Sequence, residues 1–261
     1  MSDGGLQFVG PDPGRWLQRE LTVFGGRVRC TVPGRYPAFA RILHRVDPYG
    51  RAIRWSEVCA ASGAVAHPLM QWHMVCRGWS EHSDSDPLRG RGSEDPQVGN
   101  LDPISMAALY GVLAEACTAD RVFHAFWNGW GGLHRGGVGV LEFDGDGQTH
   151  DAADPAFPFP AEIVGSATLD LPSREHLVFS GALDPSLFAD RPGSAFWPQS
   201  PSLSWPDDHS WCVATEIDFD STLVAGTPRL IDAVLTSPEL EAWPVSADDR
   251  LTADADTVNG P

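Results

Sequence analysis

Apolar positions recur at helical spacing in some stretches of the chain and alternate in others, and these two periods divide most of it into elements. Behind Asp102, a good N-cap, and Pro103 at the first helical position, Ile104, Met106, Leu109, Tyr110, Leu113 and Cys117 repeat at helical spacing through Ala119. Thr227 and Pro228 open a second helix, with Leu230, Ile231, Val234 and Leu235 on one face and Ser237-Pro238 as its stop. Shorter helices are expected at 55–63, capped by Ser56 and closed by Gly63, and at 67–78, with Pro68 first inside and Gly78 past the end. Residues 185–190 read as a helical turn.

Alternation predicts a hairpin over 21–32 turning at Gly25-Gly26, and strands over 39–46, 121–130, 137–143, 174–183 and 210–222, the last being the clearest. Segments 79–100, 144–165 and 196–208 are polar or rich in Gly and Pro and read as loops. Strands and helices follow one another without a βαβ rhythm. The expected fold is therefore α+β: a mostly antiparallel sheet with helices packed on one face and a smaller N-terminal helical lobe. We expect residues 1–15 to be disordered, 16–243 to form one domain with a lobe boundary allowed at 80–100, and 244–261 to form a fraying acidic tail.

Composition narrows the chemistry. At 261 residues and 42% hydrophobic content the chain can bury a substantial core. All 18 basic residues are Arg, so Schiff-base and P-loop lysine chemistry cannot come from it. Five dispersed cysteines without a C-x-x-C pair, a start with no apolar signal region and no apolar run of membrane length lead us to expect a cytoplasmic protein with reduced thiols. Residues 1–135 carry 14 Arg against 13 acids, whereas residues 136–261 carry 4 Arg against 22. A field of that sign attracts cationic partners and opposes nucleic acid.

Three groups of residues are candidates for function. If 211–220 is one strand, Glu216, Asp218 and Asp220 share a face, roughly 7 Å apart, opposite Val213, Thr215, Ile217 and Phe219. Such a row can take up arginines, a cation or a proton, or simply face solvent. In the strand at 174–183, Arg174 and His176 share a face. If the two strands neighbour each other, Arg174 pairs with the carboxylates across the ladder, and Glu216, His176 and Asp218 become a catalytic acid–base set, with His209 as a further member. That set requires the His176 ring and the Glu216 carboxyl to lie on one face and no more than about one bridging water apart. The third group is aromatic: Trp197, Trp205 and Trp211, beside Asp207 and Asp208, form either a contact surface or core, with Trp127 and Trp130 adding to the same choice. His67, His73 and Cys76 lack a fourth metal ligand, and Asp144 and Asp146 do not complete a calcium loop, so no metal and no cofactor is expected.

The segments ARILHRV, HPLMQWH, GNLDP, FWNGWGGL, LPSREHLVFSGAL, SPSLSWPDDHSWCVATEIDFDSTLVAG and LEAWPV, from about Tyr36 to Asn259, resemble an uncharacterised family of bacterial proteins of about this length. The resemblance brings no activity, cofactor or site residue with it. Charge and aromatics favour a non-enzymatic, immunity-like or regulatory protein that binds a cationic protein partner through Trp197, Trp205, Trp211, Asp207, Asp208, Asp220 and Arg174. The alternative is a hydrolase or transferase with a carboxylate-lined cleft at 211–220, using acid–base or metal-assisted chemistry. A third reading pairs the acids internally with arginines such as Arg41, Arg45 and Arg54. A polar cleft at Glu216 favours the enzyme, and a convex acidic face favours the binder.

Overall fold

The computed structural model describes residues 5–46, 52–76, 95–130, 141–143, 149–151, 163, 165–189 and 199–260. Its strands are β1 (Gln7–Phe8), β2 (Ala38–Leu43), β3 (Val122–Trp127), β4 (Leu141–Phe143), β5 (Thr149–Asp151), β6 (Leu169–Leu171), β7 (Arg174–Gly181), β8 (Leu203–Pro206), β9 (Cys212–Ala214), β10 (Ser221–Gly226) and β11 (Ala242–Val245). Its helices are α1 (Arg15–Glu20), α2 (Val28–Thr31), α3 (Trp55–Ser62), α4 (Trp72–Val75), α5 (Pro103–Ala116) and α6 (Pro228–Thr236). Nine strands form one antiparallel sheet in the order β1-β7-β3-β8-β9-β10-β2-β11, with β6 beside β1 on the outer edge of β7. The fold is α+β, as its mixed periods imply.

Alternation along the central strands sends side chains to two cores. Leu177 and Phe179 of β7, Phe126 of β3, Val213 of β9 and Val224 of β10 pack under Leu109 and Leu113 of α5 and Leu230 and Val234 of α6. Val178, Ala125, Ala214 and Leu223 point the other way, under Trp16 and Leu17 of α1 and Val28 of α2. Helices therefore cover both faces, not one. The two best helices have the caps read from sequence: Asp102 accepts from Ser105 N at 2.9 Å and Thr227 from Leu230 N at 3.2 Å. The small helical lobe, α3 and α4, buries Trp55, Val58, Met70 and Val75 against Leu43. Buried Arg41 of β2 joins lobe to sheet by donating to the Met70 carbonyl, 2.8 Å, and to Ser221 Oγ, 2.9 Å.

Several departures share a cause, which is a partner distant in sequence. The expected hairpin at 21–32 is a coil followed by α2, because Val28 N and Arg29 N donate to the carbonyls of Asp249 and Ala247 in the C-terminal segment. That segment does not fray. Leu251 and Asp256 are buried, and Asp256 accepts from His67 Nε2, 2.9 Å, and from Asn259 N, 2.8 Å. Residues 5–15 are likewise placed, β1 against β7 and a 3-10 turn at Asp12–Gly14. The expected helix over 67–78 is the single turn α4 within the described residues, and Gly78 lies outside them. The strand expected at 137–143 is described only as β4, which pairs with β5, while β8 forms inside a segment expected to be loop. Among the described residues no helix is long and apolar enough to cross a membrane.

Candidate functional site

The strand expected over 210–222 is two strands. β9 ends at Ala214, a turn runs from Thr215 to Asp220, and the chain returns as β10. Strand alternation therefore does not order Glu216, Asp218 and Asp220. Glu216 and Asp218 project from the turn toward one partner, and Asp220 faces Arg41 at 3.4 Å on another side. The turn is held from several sides: Thr215 N donates to the Ser202 carbonyl at 2.9 Å, Thr215 Oγ1 meets Thr222 Oγ1 at 2.8 Å, and Gly99 N donates to the Phe219 carbonyl at 2.8 Å. Gly99 has φ +71°, and a Cβ there would stand 2.8 Å from the Ile217 backbone, so a side chain is excluded on both counts.

Arg174, the first residue of β7, reaches this turn. Its Nε and Nη2 donate to Glu216 Oε1 at 3.1 and 2.8 Å, and Nη2 also donates to Asp218 Oδ2 at 2.5 Å. The pairing expected from sequence is present, but not across a ladder, because β3 and β8 lie between β7 and β9. Arg174 gets there from the end of its strand, with its guanidinium 4.9 Å from the centre of the Phe24 ring and 5.7 Å from that of Trp127. Two aromatic faces and two carboxylates hold its plane.

Three recesses open around this cluster. A narrow cleft of about 30 Å³ is lined by Arg174, His176, Glu216, Ser202, Phe24 and Cys30. A second recess of about 190 Å³ shares Phe24, Cys30 and Glu216 with it and adds Asp218 and Phe219. A broader one of about 600 Å³ begins at Arg174 and runs past Trp127, Asp170, Ser173 and Glu175. Glu216 thus sits where two recesses meet. Burial raises its carboxyl above the ordinary range and outweighs the pull of Arg174, which acts in the opposite direction.

His176 lines the same cleft as Glu216, with no hydrogen bond between them. It is only 4% exposed, and burial lowers its pKa to about 4 against the opposing effect of a hydrogen bond to the Leu169 backbone. Its Nδ1 is buried without a hydrogen-bond partner. His209 takes no part in the cleft; its ring stacks on Trp16 at 4.2 Å.

The aromatic and acidic contact surface changes most. Trp205 and Trp211 are fully buried, in the two cores on opposite faces of the sheet, so neither belongs to a contact surface. Trp197 lies outside the described residues. Asp207 is exposed 3.7 Å from Arg121, and Asp208 accepts from Ser210 N at 2.9 Å. Sequence reasoning missed Phe24, Cys30 and Ser202 as cleft residues. Trp127 was visible in WNGW, and Gly129, where a Cβ would strike the Trp127 ring at 2.2 Å, was the nearest clue to its placement. Among the described residues no three His, Cys, Asp or Glu side chains are grouped to hold a metal ion.

No family model, curated protein or solved structure matches the chain.

Proposed function

We propose that this chain is an acid–base enzyme of hydrolase or transferase type, working on a small molecule held in the cleft around Arg174 and Glu216. The observation that carries this reading is Glu216 itself: half-buried at the meeting of two recesses, oriented by the Arg174 fork, with a carboxyl raised by burial. A carboxylate whose conjugate acid is raised is a stronger base near neutral pH than an ordinary glutamate. In this role Glu216 takes a proton from a donor group of the bound molecule, and Arg174, shared with Asp218, fixes its direction.

Internal pairing weighs against the acidic half as a docking face for a cationic protein. Arg29 pairs with Asp248, Arg41 with Asp220, Arg45 with Glu239 and Arg121 with Asp207, while Arg54 donates to the Pro238 carbonyl. Four of the 22 acids in residues 136–261 thus meet arginines of the first half, while the formal net charge of the chain stays at −17.

The test is turnover of chromogenic aryl esters, aryl amides and aryl glycosides by the wild type, Glu216→Gln and Arg174→Met. We expect one class to be turned over, with a rate that rises with pH as Glu216 ionises and falls by roughly a hundredfold or more in Glu216→Gln. Turnover of no class, or turnover unchanged in Glu216→Gln, rejects the reading.

A further inference from the structure

The turn that carries Glu216 is tied to a side chain outside the lining of all three recesses. His44 follows β2, is fully buried, and meets the turn at both ends. Its backbone N donates to the Asp220 carbonyl, 3.0 Å, where the turn passes into β10. Its ring reaches the start: Nε2 lies 2.9 Å from Thr222 Oγ1, which lies 2.8 Å from Oγ1 of Thr215, the residue before Glu216. On the other side Nδ1 lies 2.5 Å from the Gln97 carbonyl, in the loop whose Gly99 N donates to the Phe219 carbonyl. Turn start, turn end and covering loop converge on one imidazole.

The partners fix each proton along this chain. A carbonyl only accepts, so Nδ1 carries the hydrogen of the ring and donates to Gln97. Burial lowers the ring below its ordinary value, with Arg41 acting in the same direction and the Gln97 carbonyl, Asp220 and Asp102 opposing. The ring is therefore neutral, and Nε2 presents a lone pair. Thr222 must donate to it, which leaves Thr215 to donate to Thr222. His44, Thr222 and Thr215 are each at most 1% exposed, so a lost member leaves its neighbours unpaired and out of reach of water. Thr215 N also donates to the Ser202 carbonyl, so backbone and side chain are both held where the chain leaves β9 for Glu216.

We propose that His44, acting through Thr222 and Thr215, is the positioning residue of the Glu216 carboxyl: the one-way hydroxyl chain sets where the turn begins, and with it the reach of Glu216 to Arg174. This inference rests on Glu216 being the working carboxylate, and it adds the device that holds that group in place. A displacement of about 1 Å at a reacting group costs about a hundredfold in rate, so a buried chain of this kind is where a substitution away from the cleft reaches its chemistry. The hydroxyl of Thr222 carries the effect. Valine keeps the branched shape of Thr222 and loses the hydroxyl, whereas serine keeps the hydroxyl.

The test compares the full wild-type chain with Thr222→Val and Thr222→Ser by NMR, without substrate. In the wild type we expect the His44 proton on Nδ1 and an accepting Nε2. In Thr222→Val we expect the Glu216 midpoint to fall, because the loosened turn relaxes the burial that raises it. Exchange of Thr215 N and Gly99 N should quicken by about tenfold or more relative to the amides of β3, a local loosening that a uniform loss of stability does not produce. Thr222→Ser should keep both readouts at their wild-type values. A His44 proton on Nε2, a Glu216 midpoint that does not fall in Thr222→Val, uniform quickening of exchange, or a serine variant as disturbed as the valine one overturns the proposal. Where Thr222→Val does not fold, the wild-type tautomer decides alone. The two readings fail separately. The expected response to Thr222→Val without turnover of any aryl substrate rejects the enzyme and keeps the positioning chain. Glu216-dependent turnover with an unaltered turn in Thr222→Val does the reverse.

Discussion

Replacing Arg174 by Met keeps most of the stem that packs beside Phe24 and Trp127 while removing the fork that holds Glu216 and Asp218. The two contacts are not equal. Arg174 and Glu216 side chains are 15% and 19% exposed, and Asp218 is 65% exposed. Breaking a fully buried pair costs 3–5 kcal/mol and an exposed one under about 1, so the partial burial here places Arg174→Met at about 2–3 kcal/mol, nearly all from Glu216. For a chain of this length that is a drop of roughly 4–6 °C in Tm. Glu216→Gln relieves the burial of a charge while losing the same fork, so on its own it should cost less. The double variant leaves only the mostly exposed Asp218 without its arginine and should recover much of the loss, with a coupling of about 1.5–3 kcal/mol in a cycle read by urea unfolding. A cost for Arg174→Met under about 0.5 kcal/mol, or a coupling near zero, would refute the claim that this cluster shapes the cleft.

Three further outcomes are expected. Glu241 accepts from Trp55 N and Ser56 N at 2.6 and 2.7 Å at the start of α3, so Glu241→Ala should cost about 1–2 kcal/mol in thermal unfolding, whereas Ser56→Ala should stay within about 0.5. Burial lowers His124 and His176 to about 4, below the ordinary 6.5, so their stabilising contribution is full above pH 6.5 and is lost as pH falls toward 4. Each is worth on the order of 3 kcal/mol over that window, and His124→Gln should flatten the pH dependence of urea unfolding; an unchanged slope contradicts it. Gly99→Ala should cost at least about 1–2 kcal/mol from backbone conformation alone, and it should disturb the Glu216 resonances through Ile217; silence there would mean the loop does not support the turn.

The parts of the fold legible in the sequence are those fixed locally. Asp102-Pro103 and Thr227-Pro228 carry their own caps, and β2 and β7 alternate clearly enough to be placed within a few residues. The illegible parts depend on groups far along the chain. Ser56 looks like the cap of α3, yet Glu241 supplies it from 185 residues away. The acidic strand failed for a similar reason: TEIDFD alternates like a strand, but Thr215, Gly99 and Ser202 tie it down as a turn, and none of those bonds leaves a local trace. Arg174 and Glu216 were correctly paired from sequence through an incorrect strand order. The unpartnered nitrogen of His176 could not be read at all, because it depends on which atoms fail to reach the ring.

The most direct test of the cleft as a working site is the titration of the Glu216 side-chain carboxyl by carbon-detected NMR. Burial exceeding the pull of Arg174 requires a midpoint above the ordinary glutamate value. A midpoint at or below that value would mean that Arg174 merely anchors a structural carboxylate, contradicting the role of Glu216 as a base.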